Sequence, residues 1–237
     1  MEHSVLITGK QSAFTDDLVQ ELLKRLDRVY ASFDESDTAP EVPDSFGDSL
    51  RYIPWTRRSL ISSRSLLLAV AGEIEAADAG EGGGGRAGGE VAAGGLSRAV
   101  VVCAPEGINA ALHDTEAATI EERIDVAVKG YLFVIRELAA LFIRRGGGDL
   151  TILWYDPGVE VLPPVDAAIA GAVEGLTRSM LAFYENEDVS IRGLSASHTD
   201  GPAVALWALE QILDRTAKSA GRFQRYGQRM SLLPFRR

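Results

Sequence analysis

Asp166–Met180 reads D-A-A-I-A-G-A-V-E-G-L-T-R-S-M. It falls within a predicted helix, Ala167–Tyr184, and carries Ala167, Ala168, Gly171, Ala172 and Gly175, small residues that let a second helix approach closely. A predicted strand precedes it, Leu150–Tyr155, and another follows, Val189–Ala196. Strand, helix and strand in that order is the repeating unit of an α/β sheet.

The alternation extends in both directions. Ser4–Thr8 is a short apolar run closed by Gly9, and Asp16–Leu26 has helical spacing in Leu18, Leu22, Leu23 and Leu26. Val29–Phe33 is a second strand. Asp34–Ser49 is acidic, holds two prolines and lacks apolar periodicity, so it is predicted to be a loop. Arg51–Trp55 is a third strand and Leu60–Ile74 a helix. Gly80–Gly95 contains nine glycines, and glycine loses the most entropy on ordering, so a flexible loop is expected at 79–95. Arg98–Ala104 (strand), Thr119–Arg145 (helix), Ala203–Lys218 (helix) and Arg229–Leu233 (strand) complete the order. It predicts one doubly wound, Rossmann-type three-layer domain over residues 1–237, with a mostly parallel sheet and one early crossover lacking its helix.

The chain has 237 residues, 46% of them hydrophobic, enough for one well-buried domain. No apolar run reaches the roughly eighteen residues of a membrane span, and the N-terminus lacks the basic, then apolar, pattern of a signal peptide. A single cysteine, Cys103, forms no internal disulfide and suits a reducing cytoplasm. A net charge of −10 disfavours capture of nucleic acid or anionic lipid. His3, His113 and His198 are scattered without ligand spacing, so no metal is expected.

The second half of the opening stretch, Gly171–Ser179 (G-A-V-E-G-L-T-R-S), resembles the short-chain dehydrogenase/reductase motif Y-x-x-x-K-A-A-V-x-G-L-T-R-S. In that family the Tyr is the acid/base and the Lys lowers its pKa. Here the Tyr position holds Asp166 and the Lys position Ala170. The resemblance covers nearly the whole chain. Asp125–Gly130 keeps the D-V-N-x-x-G frame with Ala127 in place of the Asn, and Trp154 fills the position of the substrate-binding Ser. All four tetrad positions, Ala127, Trp154, Asp166 and Ala170, therefore hold something else, and Tyr155 is the fallback acid.

The family's first turn is T-G-x-x-x-G-x-G. Thr8 and Gly9 match, whereas Ala13 and Thr15 replace the later glycines, which adds Cβ atoms beside the phosphate site. Thr8, Gly9 and Lys10 are the residual cofactor-binding residues on this reading. Where the family reads N-N-A-G, this chain reads Val102-Cys103-Ala104-Pro105, and Cys103 is expected to be a small buried hydrophobe. Asp34 lies where the family often binds a ribose hydroxyl, and is read here as the start of the acidic loop.

Carbonyl reduction needs a proton delivered to the developing alkoxide, and a positioned general acid contributes about 10²–10⁴-fold. A carboxylic acid of ordinary pKa is ionised at pH 7 and has no proton to give. None of Lys10, Lys24, Lys129 and Lys218 stands where it rebuilds a Tyr–Lys pair. The resemblance therefore implies a catalytically silent subunit with no cofactor expected. Its implied partner is an active paralogue of the same family (hydroxyacyl-CoA-type dehydrogenases include such assemblies) or a second copy, engaged through helices 119–145 and 167–184. The alternatives are an atypical NAD(P)-dependent oxidoreductase using Asp166 or Tyr155, and a ligand-binding sensor.

Overall fold

The computed structural model describes residues 4–81, 95–158, 161–214 and 221–227. Its elements run β1 Ser4–Gly9, α1 Ala13–Leu23, β2 Arg28–Asp34, β3 Leu50–Trp55, α2 Leu60–Glu81, β4 Leu96–Cys103, α3 Ala117–Ile124, α4 Gly130–Arg144, β5 Asp149–Asp156, α5 Pro164–Phe183, β6 Ser190–Ser197, α6 Gly201–Leu213 and β7 Phe223–Arg225. The strands form a seven-stranded sheet in the order β3-β2-β1-β4-β5-β6-β7, with every pairing parallel.

Both faces of the sheet are covered, and side-chain alternation shows how. On β4, Ala99, Val101 and Cys103 pack towards α2, α4 and α5, whereas Val100 and Val102 pack towards α1 and α6. The same alternation on β5 sends Trp154 to the α4/α5 layer and its neighbour Tyr155 to the α1/α6 layer. The connection from β2 to β3, residues 35–49, holds only a 3₁₀ turn at Gly47–Ser49, so that crossover lacks an α-helix as the polar loop predicted.

Several boundaries differ from expectation. Helix α1 starts at Ala13 because the Ser12 hydroxyl accepts the Thr15 N–H, which satisfies an orphan helix donor and leaves Asp16 in the first turn. The long helix expected over 119–145 is interrupted by a π turn, Asp125–Lys129, between α3 and α4. Helix α2 runs on to Glu81, into the segment expected to be a glycine loop, and the rest of that loop, 82–94, lies outside the described residues. The strand expected at Arg229–Leu233 lies outside them too. The strand beside β6 is instead Phe223–Arg225, where Phe223 packs over Gly193 in place of a side chain.

Candidate functional site

Between β1 and β4 the strand order reverses, so the crossovers leave from opposite sides and open a cleft at the strands' carboxyl ends. Gly9 closes β1 with φ +127°, and a Cβ there would sit 2.0 Å from the Val102 carbonyl oxygen. Only glycine fits, and the Lys10 N–H then donates to Val102 at 2.9 Å. The turn is closed by its own side chains. The Thr15 hydroxyl donates to the Lys10 carbonyl at 2.7 Å, and the Thr8 hydroxyl accepts from Ser32 at 2.9 Å. Thr15 thus uses the third glycine position to brace the turn.

The centre of the cleft is held by a residue that sequence reasoning missed. Glu106, on the loop after β4, has a side chain only 2% exposed. Three cations surround its carboxylate: Arg57 at 2.7 Å, Lys10 at 3.6 Å and Arg123 at 3.9 Å. They come from the ends of β3 and β1 and from α3, and the Lys10 ammonium also donates to the Pro105 carbonyl. Burial lowers the Lys10 pKa, and nearby Arg57 adds to this, against the pull of Glu106 and Asp166. Burial also works against the charge on Arg57, but Tyr131, Glu106 and Asp34 outweigh it and raise its pKa. Gly130 opens α4 beneath this cluster, where a Cβ would meet the Arg57 carbonyl at 2.7 Å.

Asp166 is 1% exposed and accepts the backbone N–H groups of Glu106 at 2.8 Å and Gly107 at 3.1 Å. The position expected to carry an acid therefore ties down the loop that carries Glu106. The other tetrad positions share the α4/α5 side of the core. Ala127 is fully buried in the π turn. The Trp154 indole donates to Asp156 at 3.2 Å. Ala170 is half-buried and, with Trp154, Asp156, Val173, Thr177 and Ser195, lines a cavity of about 100 Å³. Tyr155 stacks on Phe14, and its hydroxyl donates to the His198 carbonyl at 3.1 Å. Asp156, also unforeseen, is 5% exposed and accepts from Ser197 at 2.6 Å and Gly158 at 2.9 Å. Asp34 turns to its own loop, accepting from the N–H and hydroxyl of Ser36.

Charged residues just past a strand's end (Arg57, Glu106, Asp156) were visible in the sequence. Their meeting was not, because it needs the sheet order that brings residue 57 beside residue 106. Among the described residues no group of three or more His, Cys, Asp or Glu is arranged to hold a metal, and no helix is long and apolar enough to cross a membrane.

A groove of about 670 Å³ runs between the outer faces of α4 and α5, lined by Leu132, Ile143, Leu176, Met180, Phe183 and others. Phe183 is 83% exposed, and Ala167, Ala168, Gly171, Ala172 and Gly175 all face outward. On α4, Leu132 is exposed, whereas Ile135 and Leu138 are buried in the core.

The residues present suit a phosphate-bearing group. Lys10 and Arg57 already organise around a carboxylate, an internal stand-in for a phosphate's oxygens. No family model and no curated protein sequence matches the chain, but solved structures do. A short-chain dehydrogenase/reductase family oxidoreductase from Brucella ovis, in complex with a partially ordered NAD, aligns with a TM-score of 0.70 at 14% identity, covering 95% of this chain and 99% of that one. A carbonyl reductase from chicken fatty liver, with NADPH bound, gives 0.68 at 12% identity, over 94% and 96%. A gluconate 5-dehydrogenase from Burkholderia cenocepacia, in complex with NADP and tartrate, gives 0.60 at 18% identity, over 82% and 70%. All three hold a nicotinamide dinucleotide. That overturns the expectation of no cofactor, and Lys10 and Arg57, from the ends of β1 and β3, converge on one anion position in the cleft. The chain has the fold of the short-chain dehydrogenases/reductases.

Proposed function

We propose that this chain is a cytoplasmic, nicotinamide-dinucleotide-binding subunit that is catalytically silent by itself and pairs with an active short-chain dehydrogenase/reductase. The observation that carries the silence is the use made of Asp166. Both of its carboxyl oxygens accept backbone N–H groups, so the side chain is committed to holding the loop. Beside it, Ala127 and Ala170 offer no polar side chain at all.

When bound, the dinucleotide supplies hydride chemistry in this fold. Lys10 and Arg57 are the residues to hold its phosphates, and the Thr8–Gly9 turn brings the backbone close enough for them to reach. Pairing runs through α4 and α5, where the exposed Leu132 and Phe183 line an apolar groove and the first turns of α5 present small residues outward. A hydroxyacyl-CoA-type dehydrogenase is the partner class to try first.

Native mass spectrometry of tagged protein purified from its own organism tests this reading. A complex with a second dehydrogenase-fold subunit, active only as the complex, supports it. A homo-oligomer that by itself oxidises NADPH with a carbonyl substrate sinks it and makes Tyr155 the acid to mutate.

A further inference from the structure

Resting on the cofactor reading above, we propose that Pro105–Gly107 is a latch over the dinucleotide cleft. In the closed form Glu106 occupies the anion position. A nicotinamide dinucleotide binds by exchanging a phosphate for the Glu106 carboxylate on Lys10 and Arg57.

Three features of the loop support the exchange. First, the carboxylate is nearly fully buried yet meets three cations, Lys10, Arg57 and Arg123. Lifting Glu106 away uncovers these cations, with Asp166 and Asp34 still acting on Lys10 and Arg57, so the place it leaves suits another anion. A phosphate of the dinucleotide placed there takes up the charge-assisted hydrogen bonds that Glu106 gives up. Second, the same Lys10 ammonium that faces Glu106 also holds the Pro105 carbonyl. Turning Lys10 to a ligand releases the loop at two points. Third, the remaining tie is Asp166, which accepts Glu106 N–H and Gly107 N–H. A tyrosine at that position offers one hydroxyl oxygen where Asp166 meets the two amides with two separate oxygens. Asp166 is on this account a positioning residue that keeps the latch closed, and the catalytic-tyrosine position has been turned to that use.

A closed latch lowers apparent affinity by the fraction of molecules that are open. NADH and NADPH binding, read by nucleotide fluorescence, should therefore be about tenfold or more tighter for Glu106→Gln than for the native chain. The native chain gives a second readout that needs no variant. On saturation with NADPH, hydrogen exchange at the Glu106 and Gly107 amides should speed up by about tenfold as the loop lifts from Asp166. Nucleotide binding that leaves those amides equally or better protected, with Glu106→Gln no tighter than native, overturns the latch while the cofactor reading stands. No binding by either protein at millimolar nucleotide overturns both.

Discussion

The Phe14 ring lies 3.9 Å from that of Tyr155, with 14° between their planes. This stack joins the first turn of α1 to the carboxyl end of β5, and the Tyr155 hydroxyl carries the link on to the His198 carbonyl after β6. Burial raises the Tyr155 pKa, and Asp156, Asp17 and Asp200 raise it further. The side chain is thus a neutral phenol that pins the end of the sheet. Phe14→Ala removes a ring that is 3% exposed and should cost about 3–5 kcal/mol of stability by urea unfolding. Tyr155→Phe loses only the hydrogen bond, about 0.5–1.5 kcal/mol. If Tyr155→Phe proves the costlier change, the hydroxyl does more than tie His198.

Gly171 and Gly175 face outward on α5, with nothing within 4 Å of an added Cβ. In an isolated chain they are exposed helix glycines, and replacing either by alanine should stabilise by about 0.8–1.0 kcal/mol, raising Tm by about 2–4 °C. A partner helix packed against that face reverses the sign for larger residues. Gly175→Leu should leave the isolated chain folded and block assembly in size-exclusion chromatography. Unimpaired assembly would remove α5 from the proposed interface.

Glu174 ties β7 to α5 by accepting from Arg225 at 2.8 and 3.0 Å and from Arg178 at 2.9 Å. Burial alone would raise its pKa, but the hydrogen bonds from the two arginines outweigh this and hold it below 4.5. A depressed carboxylate pKa means that the folded state binds fewer protons, so the stabilisation is fully present above pH 4.5 and fades as the pH falls through the folded value. Amide exchange in Phe223–Arg225 should accelerate below that pH in the native chain. In Glu174→Gln it should be insensitive to pH across the same window, once corrected for intrinsic exchange.

Cys103 is fully buried, and burial pushes its thiol pKa up. It should not react with Ellman's reagent in the folded protein, and should react once denaturant exposes it. Rapid labelling of the native chain would mean that β4 opens far more readily than its position between β1 and β5 implies.

The fold was legible because its signals are local. Apolar runs closed by glycine, and small residues repeating on one helix, are properties of short segments, and these reproduced the order of the described elements through α6, with α3 and α4 read as one helix. At the start of α1 a side chain moved the boundary, Ser12 capping the helix. The candidate site was legible only in its losses. Ala127 and Ala170 announce missing groups by themselves, since alanine offers no chemistry in any environment. The role of Asp166 needed the structure, because the loop it clamps begins sixty residues earlier in the chain. Glu106, Arg57 and Lys10 are unremarkable as letters and meet only because β3, β1 and β4 end together.

Restoring the tetrad puts the silent-subunit reading at risk most directly. The variant Ala127→Asn, Trp154→Ser, Asp166→Tyr, Ala170→Lys supplies every group the resemblance implies. Each change meets a different obstacle. The Ala127 side chain is 0% exposed in a π turn, so an asparagine amide there must fit a buried site and find hydrogen-bond partners for its polar atoms. Removing the Trp154 indole opens a cavity and leaves Asp156 without one donor, a cost of about 3–5 kcal/mol. Asp166→Tyr frees the Glu106 and Gly107 amides, which loosens the loop while Ala13 and Thr15 still replace two glycines of the turn. The expected outcome is a destabilised protein that oxidises no NADPH with carbonyl substrates, checked by thermal unfolding and absorbance at 340 nm. Measurable turnover by this variant alone would show that the altered turn is no barrier to catalysis, and that only the four tetrad changes had silenced the chain.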